Sequence, residues 1–389
     1  MSGSRILQTE YTTWMVQDKH AKATDVLANA VSTRIAKALG LPRAETAPTC
    51  LACHSLDVPA AQRARTFTSE GVSCEACHGP AAAWLGPHTT RGWTHAQSVG
   101  LGMYDTKDVT KRVERCASCH IGTADKAVDH EMIAAGHPDL VFDLAAFSAA
   151  MPRHWQGPPS TDRWRDVRDW SVGQIVQLRE GLARLARRAA GPVWPEYAEL
   201  DCFACHHRLT RPDDSWRQER GYANRRPGSA PWNHARFAVA RLIVRAADAG
   251  AGERFDADMT QLAFEMSKLQ GDRTKIAGIA GGVNTLLDGV AARLAARPAD
   301  AALTVEYMRG IVDEADRIAA FGERSAEQAA MSLEALFSGY RTATGEDEDQ
   351  AVRAALDRLF QQLENPSAYD PRRFAAELKR VGEVVPGRR

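Results

Sequence analysis

The stretch Gly71-Val72-Ser73-Cys74-Glu75-Ala76-Cys77-His78-Gly79-Pro80 carries the pattern Cys-x-x-Cys-His, and the pattern recurs three times. The other copies are Cys50-Leu51-Ala52-Cys53-His54, Cys116-Ala117-Ser118-Cys119-His120 and Cys202-Phe203-Ala204-Cys205-His206. All eight cysteines fall inside these copies. Two thiols followed at once by a histidine form the attachment signature of c-type haem. The thiols add across the haem vinyl groups, and the histidine gives iron its proximal nitrogen. Four copies predict four covalently attached haem c groups, with His54, His78, His120 and His206 as proximal iron ligands. Structural zinc would explain paired Cys-x-x-Cys knuckles but gives no reason for a histidine after every pair. Disulfides fit no better, because a chain of this length needs no staples and the repeated two-residue spacing marks cofactor or redox chemistry.

The remaining composition is that of a globular protein. With 389 residues, 44% hydrophobic and 25% charged, the chain is long enough for two domains. Its formal net charge of zero gives no reason to expect a nucleic acid partner. No apolar run reaches bilayer-spanning length, and Met1 to Glu10 lacks the charged and apolar regions of a secretory signal. Haem is attached to such motifs outside the bacterial cytoplasm. A periplasmic location is therefore expected, with the signal or anchor absent from the given sequence.

Hydrophobic spacing from Glu10 to Leu39 predicts one or two helices carrying His20, stopped by Gly40-Leu41-Pro42. From Thr49 to Gly157, frequent Gly and Pro predict loops and short helices around bulky haems. Arg165 to Ala189 reads as a long amphipathic helix with Trp170, Ile175, Leu178, Leu182 and Leu185 on one face. After Arg225-Arg226-Pro227-Gly228 no cysteine remains, and Ala- and Leu-rich segments begin near Ala230, Asp256, Thr274, Asp300, Ser325, Asp347 and Pro371. Asp300 and Ser325 are expected N-caps, and Gly339 and Gly345 expected breaks. The fold class expected is mainly α: a haem-packed multihaem domain over residues 1–228 with little regular sheet, then an α-helical bundle over 229–389.

Eight histidines lie outside the motifs: His20, His88, His95, His130, His137, His154, His207 and His234. Each haem has a second axial position. A remote histidine there makes a low-spin electron relay, whereas an open position lets a small molecule bind iron. Eight histidines suffice for either arrangement. His207 follows His206 directly and cannot reach the opposite face of the same haem. Arg91, Arg112, Arg115, Arg153 and Arg208 lie near motifs and are candidates for pairing haem propionates. Trp84, Trp93, Trp155 and Trp232 are candidates for shielding haem edges from water.

Trp14-Met15-Val16-Gln17-Asp18-Lys19-His20-Ala21-Lys22-Ala23, the run from Gly71 to Pro80 with His88 ten residues past His78, and Arg115-Cys116-Ala117-Ser118-Cys119-His120 resemble the cytochrome c-554 family. The resemblance covers about residues 10–125. Runs from Asp129, Met151 and Asp201 resemble larger multihaem relatives. Family members carry a haem motif just before the equivalent of Trp14, where this chain has Gly3-Ser4-Arg5-Ile6-Leu7, and Cys202 adds a motif that the family lacks.

The resemblance implies His20 as distal ligand of the Cys116 haem. It implies that His88, whose counterpart serves the missing haem, is either released or recruited by the Cys202 haem, with recruitment preferred. It also marks the Cys50 haem as the first place to seek a five-coordinate iron. His137 is the expected distal ligand of the Cys74 haem, with His130 as its rival.

The leading expectation is a periplasmic tetrahaem electron carrier between a redox donor protein and an acceptor. The alternative is an oxidoreductase of nitric oxide, nitrite or hydroxylamine at an open haem, for which no catalytic side chain is identified. The helical C-terminal region is an expected docking module for a membrane respiratory complex.

Overall fold

The computed structural model describes residues 9–56, 58–63, 70–155, 161–206, 229–268 and 270–387. Helices connected by turns make up both halves. Among the described residues the extended pairing is limited to one isolated antiparallel bridge, Leu200 with Trp232. The mainly α reading therefore holds.

The chain forms two compact units, residues 1–142 with 147–160, and residues 143–146 with 161–389. The expected boundary after residue 228 ends a stretch, 207–228, that lies outside the described residues. The division falls instead near residue 160, which assigns the Cys202 motif to the helical unit. The cause is the Arg165–Ala190 helix. Its expected face, Trp170, Ile175, Leu178, Leu182 and Leu185, is buried, but so are Val172 and Val176 on other sides. A helix buried on every side along residues 169–178 is a central element. It packs against Ala235–Ala247, Arg273–Ala296 and Glu323–Thr344. Each fully buried large side chain contributes about 1.5–3 kcal/mol.

Caps mark where these helices start. Asp300 accepts from Leu303 N at 2.8 Å, as its position suggests. Ser325 is no cap: the helix begins at Glu323 behind Gly322, and Ser325 is buried. Gly345 ends that helix with φ +77°, whereas Gly339 lies within it, where a Cβ would stand 2.8 Å from Val167 Cγ2. Close helix approach, not chain breaking, explains the glycine at 339.

In the N-terminal unit the helices are short: Glu10–Gln17, Ala30–Ala38, Pro48–His54, Cys74–His78, His95–Gly100, Val109–His120 and His130–Ala134. Side-chain caps define several of them. Asn29 accepts from Ser32 N, Asp108 from Lys111 N, and Asp129 from Met132 N, while Thr94 and Gln97 form a capping box. One of its apolar clusters is only Leu27, Ala36 and Ala44, flanked by Leu41, Cys50 and Leu51. Such small packing suits a unit filled by a bulky cofactor.

Candidate haem sites

Three of the four motifs end helices of the N-terminal unit. Pro48–His54, Cys74–His78 and Val109–His120 each place the proximal histidine at the last helical residue. One helical turn brings the two cysteines of a motif onto the side occupied by its histidine.

Each of these histidines faces a second histidine from a distant part of the chain. His120 lies opposite His20 with ring centroids 6.0 Å apart, His54 opposite His137 at 6.4 Å, and His78 opposite His154 at 6.2 Å. Two metal–imidazole bonds of about 2 Å, plus the step from each nitrogen to its ring centre, separate opposed imidazoles by about 6 Å. The side chains thus fit an iron atom between each pair. The ring planes cross at 83°, 87° and 81° respectively.

Four of the six outer ring nitrogens are engaged in a way that leaves Nε2 for a metal. Nδ1 of His54 faces the Ala23 carbonyl at 2.9 Å, that of His137 the Pro138 carbonyl at 2.8 Å, and that of His154 the Pro152 carbonyl at 3.4 Å. His20 Nδ1 instead faces Asp18 Oδ1 at 2.9 Å. A carbonyl only accepts, so Nδ1 carries the proton and Nε2 the lone pair. Burial, reinforced by His154, His95 and Arg115, pushes His78 down to about 4, which keeps it neutral. Burial, followed by His20, also lowers His120.

The chain is folded to hold these pairs. Gly71, at φ +78°, brings its backbone against the turn of His20: a Cβ there would lie 2.6 Å from the His20 carbonyl oxygen. Val72 N donates to that oxygen at 3.0 Å, and Trp14 Nε1 donates to Val72 O at 3.1 Å. Phe142 stacks on His120 at 5.8 Å, and Phe147 meets its edge at 4.8 Å.

The attachment thiols of different motifs are also neighbours. Cys53 and Cys119 are in hydrogen-bonding contact, and Lys126 Nζ lies 3.2 Å from Cys119 Sγ. Before any thioether forms, their mutual hydrogen bond, aided by Lys126, draws Cys119 down and pushes Cys53 up. Cys77 is close enough to Cys116 and Cys119 to feel their charge. Among the described residues no group of three or more His, Cys, Asp or Glu is placed to hold a metal ion by itself.

Other candidate residues fall elsewhere. His137 faces His54 rather than His78, and His130 opens the helix His130–Ala134 behind its Asp129 cap. His88 lies in the N-terminal unit against Trp84, with Nδ1 on the Leu85 carbonyl. His95 Nε2 is tied to Asp105 at 2.7 Å. Arg115 lies over Tyr104 at 4.1 Å, and its buried Nε has no hydrogen-bond partner, which suits a propionate acceptor. Arg112 reaches the Thr106 carbonyl, whereas Arg91 and Arg153 are exposed. Trp84 is buried 6.5 Å from His78, Trp93 donates to Ser98 Oγ, and exposed Trp155 meets the His154 edge at 5.0 Å.

In the C-terminal unit, Cys202–Ala204 form a 3-10 turn capped by Asp201, and Cys205 and His206 are exposed. The preceding Glu199 is buried between Arg184 (2.8 and 2.9 Å) and Arg188 (2.7 Å). Burial opposes its charge, but the two guanidinium groups prevail and hold its carboxyl below the usual range. Backbone bonds from Asp201 N to Pro231 O and from Asn233 N to Glu199 O join this loop to the segment carrying Trp232 and His234. His234 is buried and stacks on Phe321 at 4.5 Å. His207 and Arg208 lie outside the described residues.

The sequence gave Asp18 no role, and it placed His154 and His234 in the pool of second axial ligands without assigning either to a haem. The two-residue step from Asp18 to His20 was the available signal for the first contact, and long-range backbone pairing was needed for the others.

Haem-attachment motifs whose histidines stand opposite second imidazoles define a c-type cytochrome, with covalently bound haem c and its iron as cofactor. Residues 8–79 match the family model described as Cytochrome c554 and c-prime, a partial match that supports a c-type cytochrome of the c554 family. No curated protein and no solved structure matches the chain. No described helix is long and apolar enough to cross a membrane.

Proposed function

We propose that the chain is a periplasmic tetrahaem c-type cytochrome that carries single electrons between a redox donor protein and an acceptor. The observation that carries this reading is the set of three histidine pairs separated by 6.0–6.4 Å. Haem bound at the motifs supplies one-electron chemistry at iron, and two imidazoles per iron favour electron relay over ligand capture.

The assigned ligand pairs are His54 with His137, His78 with His154, and His120 with His20. This moves His137 from the Cys74 haem to the Cys50 haem and gives the Cys74 haem His154. It also closes the iron that the family resemblance marks for a five-coordinate state, so the small-molecule enzyme reading loses its expected site. The Cys116 motif links the others, since its thiols neighbour Cys53 and Cys77. Phe142, Phe147 and Trp84 exclude water from the ligand rings. The Cys202 motif supplies the fourth attachment site, and the helical unit that carries it is the proposed docking module for a membrane respiratory complex.

The test is the His137→Ala holoprotein. One haem should become high-spin and bind carbon monoxide while attachment at Cys50 and Cys53 persists. An unchanged low-spin spectrum would overturn the assignment.

A further inference from the structure

We propose that Asp18 is a tuning residue that lowers the reduction potential of the Cys116 haem by acting on its distal ligand, His20. The inference rests on the assignment of His20 and His120 as that haem's axial pair.

Four of the six paired imidazoles have Nδ1 acceptors that can be compared. His54, His137 and His154 face backbone carbonyls, which are neutral. His20 faces a carboxylate oxygen, Asp18 Oδ1, at 2.9 Å. A carboxylate draws the Nδ1 proton more strongly than a carbonyl does, which makes the ring a stronger donor through Nε2. Stronger donation favours ferric over ferrous iron. The negative charge itself acts in the same direction, with little solvent to screen it, because Asp18 is only 5% exposed.

The contact is preorganised. The same Oδ1 accepts His20 N at 3.0 Å, so Asp18 caps the turn Lys19–Lys22 and fixes the ring with one atom. Asp18 N donates to Trp14 O at 3.1 Å, and Trp14 is anchored on Val72. The carboxylate cannot swing away without breaking the turn.

The thiols of this motif lie near those of the other two motifs in the unit. A lowered potential there disfavours residence of an electron on the Cys116 haem relative to the same haem without the Asp18 charge.

The experiment is potentiometric titration of the Asp18→Asn holoprotein, with spectra at each potential. Asparagine caps helical turns as well as aspartate, so the turn survives while the charge is lost. The expected result is unchanged haem content and low-spin spectra, with a positive shift concentrated in one midpoint. A smaller positive shift of the Cys74 haem is compatible, because the Asp18 charge reaches Cys77. A companion variant, His20→Ala, separates the two layers of the argument. If it fails to open one haem, the ligand assignment falls. If it opens one haem but Asp18→Asn leaves every midpoint in place, the role of Asp18 is refuted and the assignment stands.

Discussion

His54 and His137, 83 residues apart in sequence, face one another with ring centroids 6.4 Å apart and planes at 87°. The Nδ1 of each is held on a backbone carbonyl, so both rings are aimed before any metal arrives. The other two pairs repeat the opposed geometry, at 6.0 and 6.2 Å, with His20 and His154 as their anchored members, and the consequences can be measured separately.

Near-perpendicular imidazole planes leave the two iron d orbitals that interact with the ligands nearly equal in energy. With plane angles of 81–87°, the ferric haems of the N-terminal unit should give strongly axial low-spin EPR signals with one large g value. Rhombic signals from all three would contradict the ring orientations.

Gly71→Ala places a methyl group 2.6 Å from the His20 carbonyl at a backbone angle of +78°. The conformation alone costs about 1–2 kcal/mol, and the contact adds to it. The variant should lose stability in urea titration and weaken low-spin ligation at the Cys116 haem, while the Cys50 haem keeps its spectrum.

Glu199→Ala strands buried Arg184 and partly buried Arg188 and should destabilise the helical unit by about 3–5 kcal/mol, measured by denaturation at pH 7. Because Arg184 and Arg188 hold the Glu199 pKa down, its stabilisation is present above the ordinary carboxylate range and is lost as pH falls through the lowered value. The variant should therefore differ least from the parent in acid.

Asp143 has the opposite sign. It is fully buried, accepts from Gln174 Nε2 at 2.7 Å, from Gln328 Nε2 and from Ala146 N, and burial raises its pKa. Between the ordinary carboxylate pKa and the raised one, the folded chain binds more protons than the unfolded chain, so stability falls as pH rises. Asp143→Asn keeps the hydrogen-bonding size of the side chain and should flatten that decline. A destabilised variant at pH 7 would show that the ionised form is favoured in the fold.

The Cys-x-x-Cys-His motifs and the long helix were readable in sequence because both are local patterns: five consecutive residues in one case, a 3.6-residue period in the other. His20 was reached through resemblance rather than spacing, and the structure sets it opposite His120. His137 and His154 were not separable in advance. Both follow turns rich in Gly or Pro, and which proximal histidine each meets depends on the path of the whole chain between residues 120 and 155. The compact units divide elsewhere than the expected boundary for a related reason. Loss of cysteine near residue 228 marks the end of the attachment motifs, whereas the packing divides near residue 160, ahead of the helix Arg165–Ala190, which is buried on every side along 169–178.

The central claim is that three haems of the N-terminal unit each have two histidine ligands. The measurement that tests it most directly is near-infrared magnetic circular dichroism of the fully oxidised holoprotein, after mass spectrometry has fixed the haem number. The account predicts bis-histidine charge-transfer intensity equivalent to at least three haems per chain. Intensity for two or fewer would contradict it.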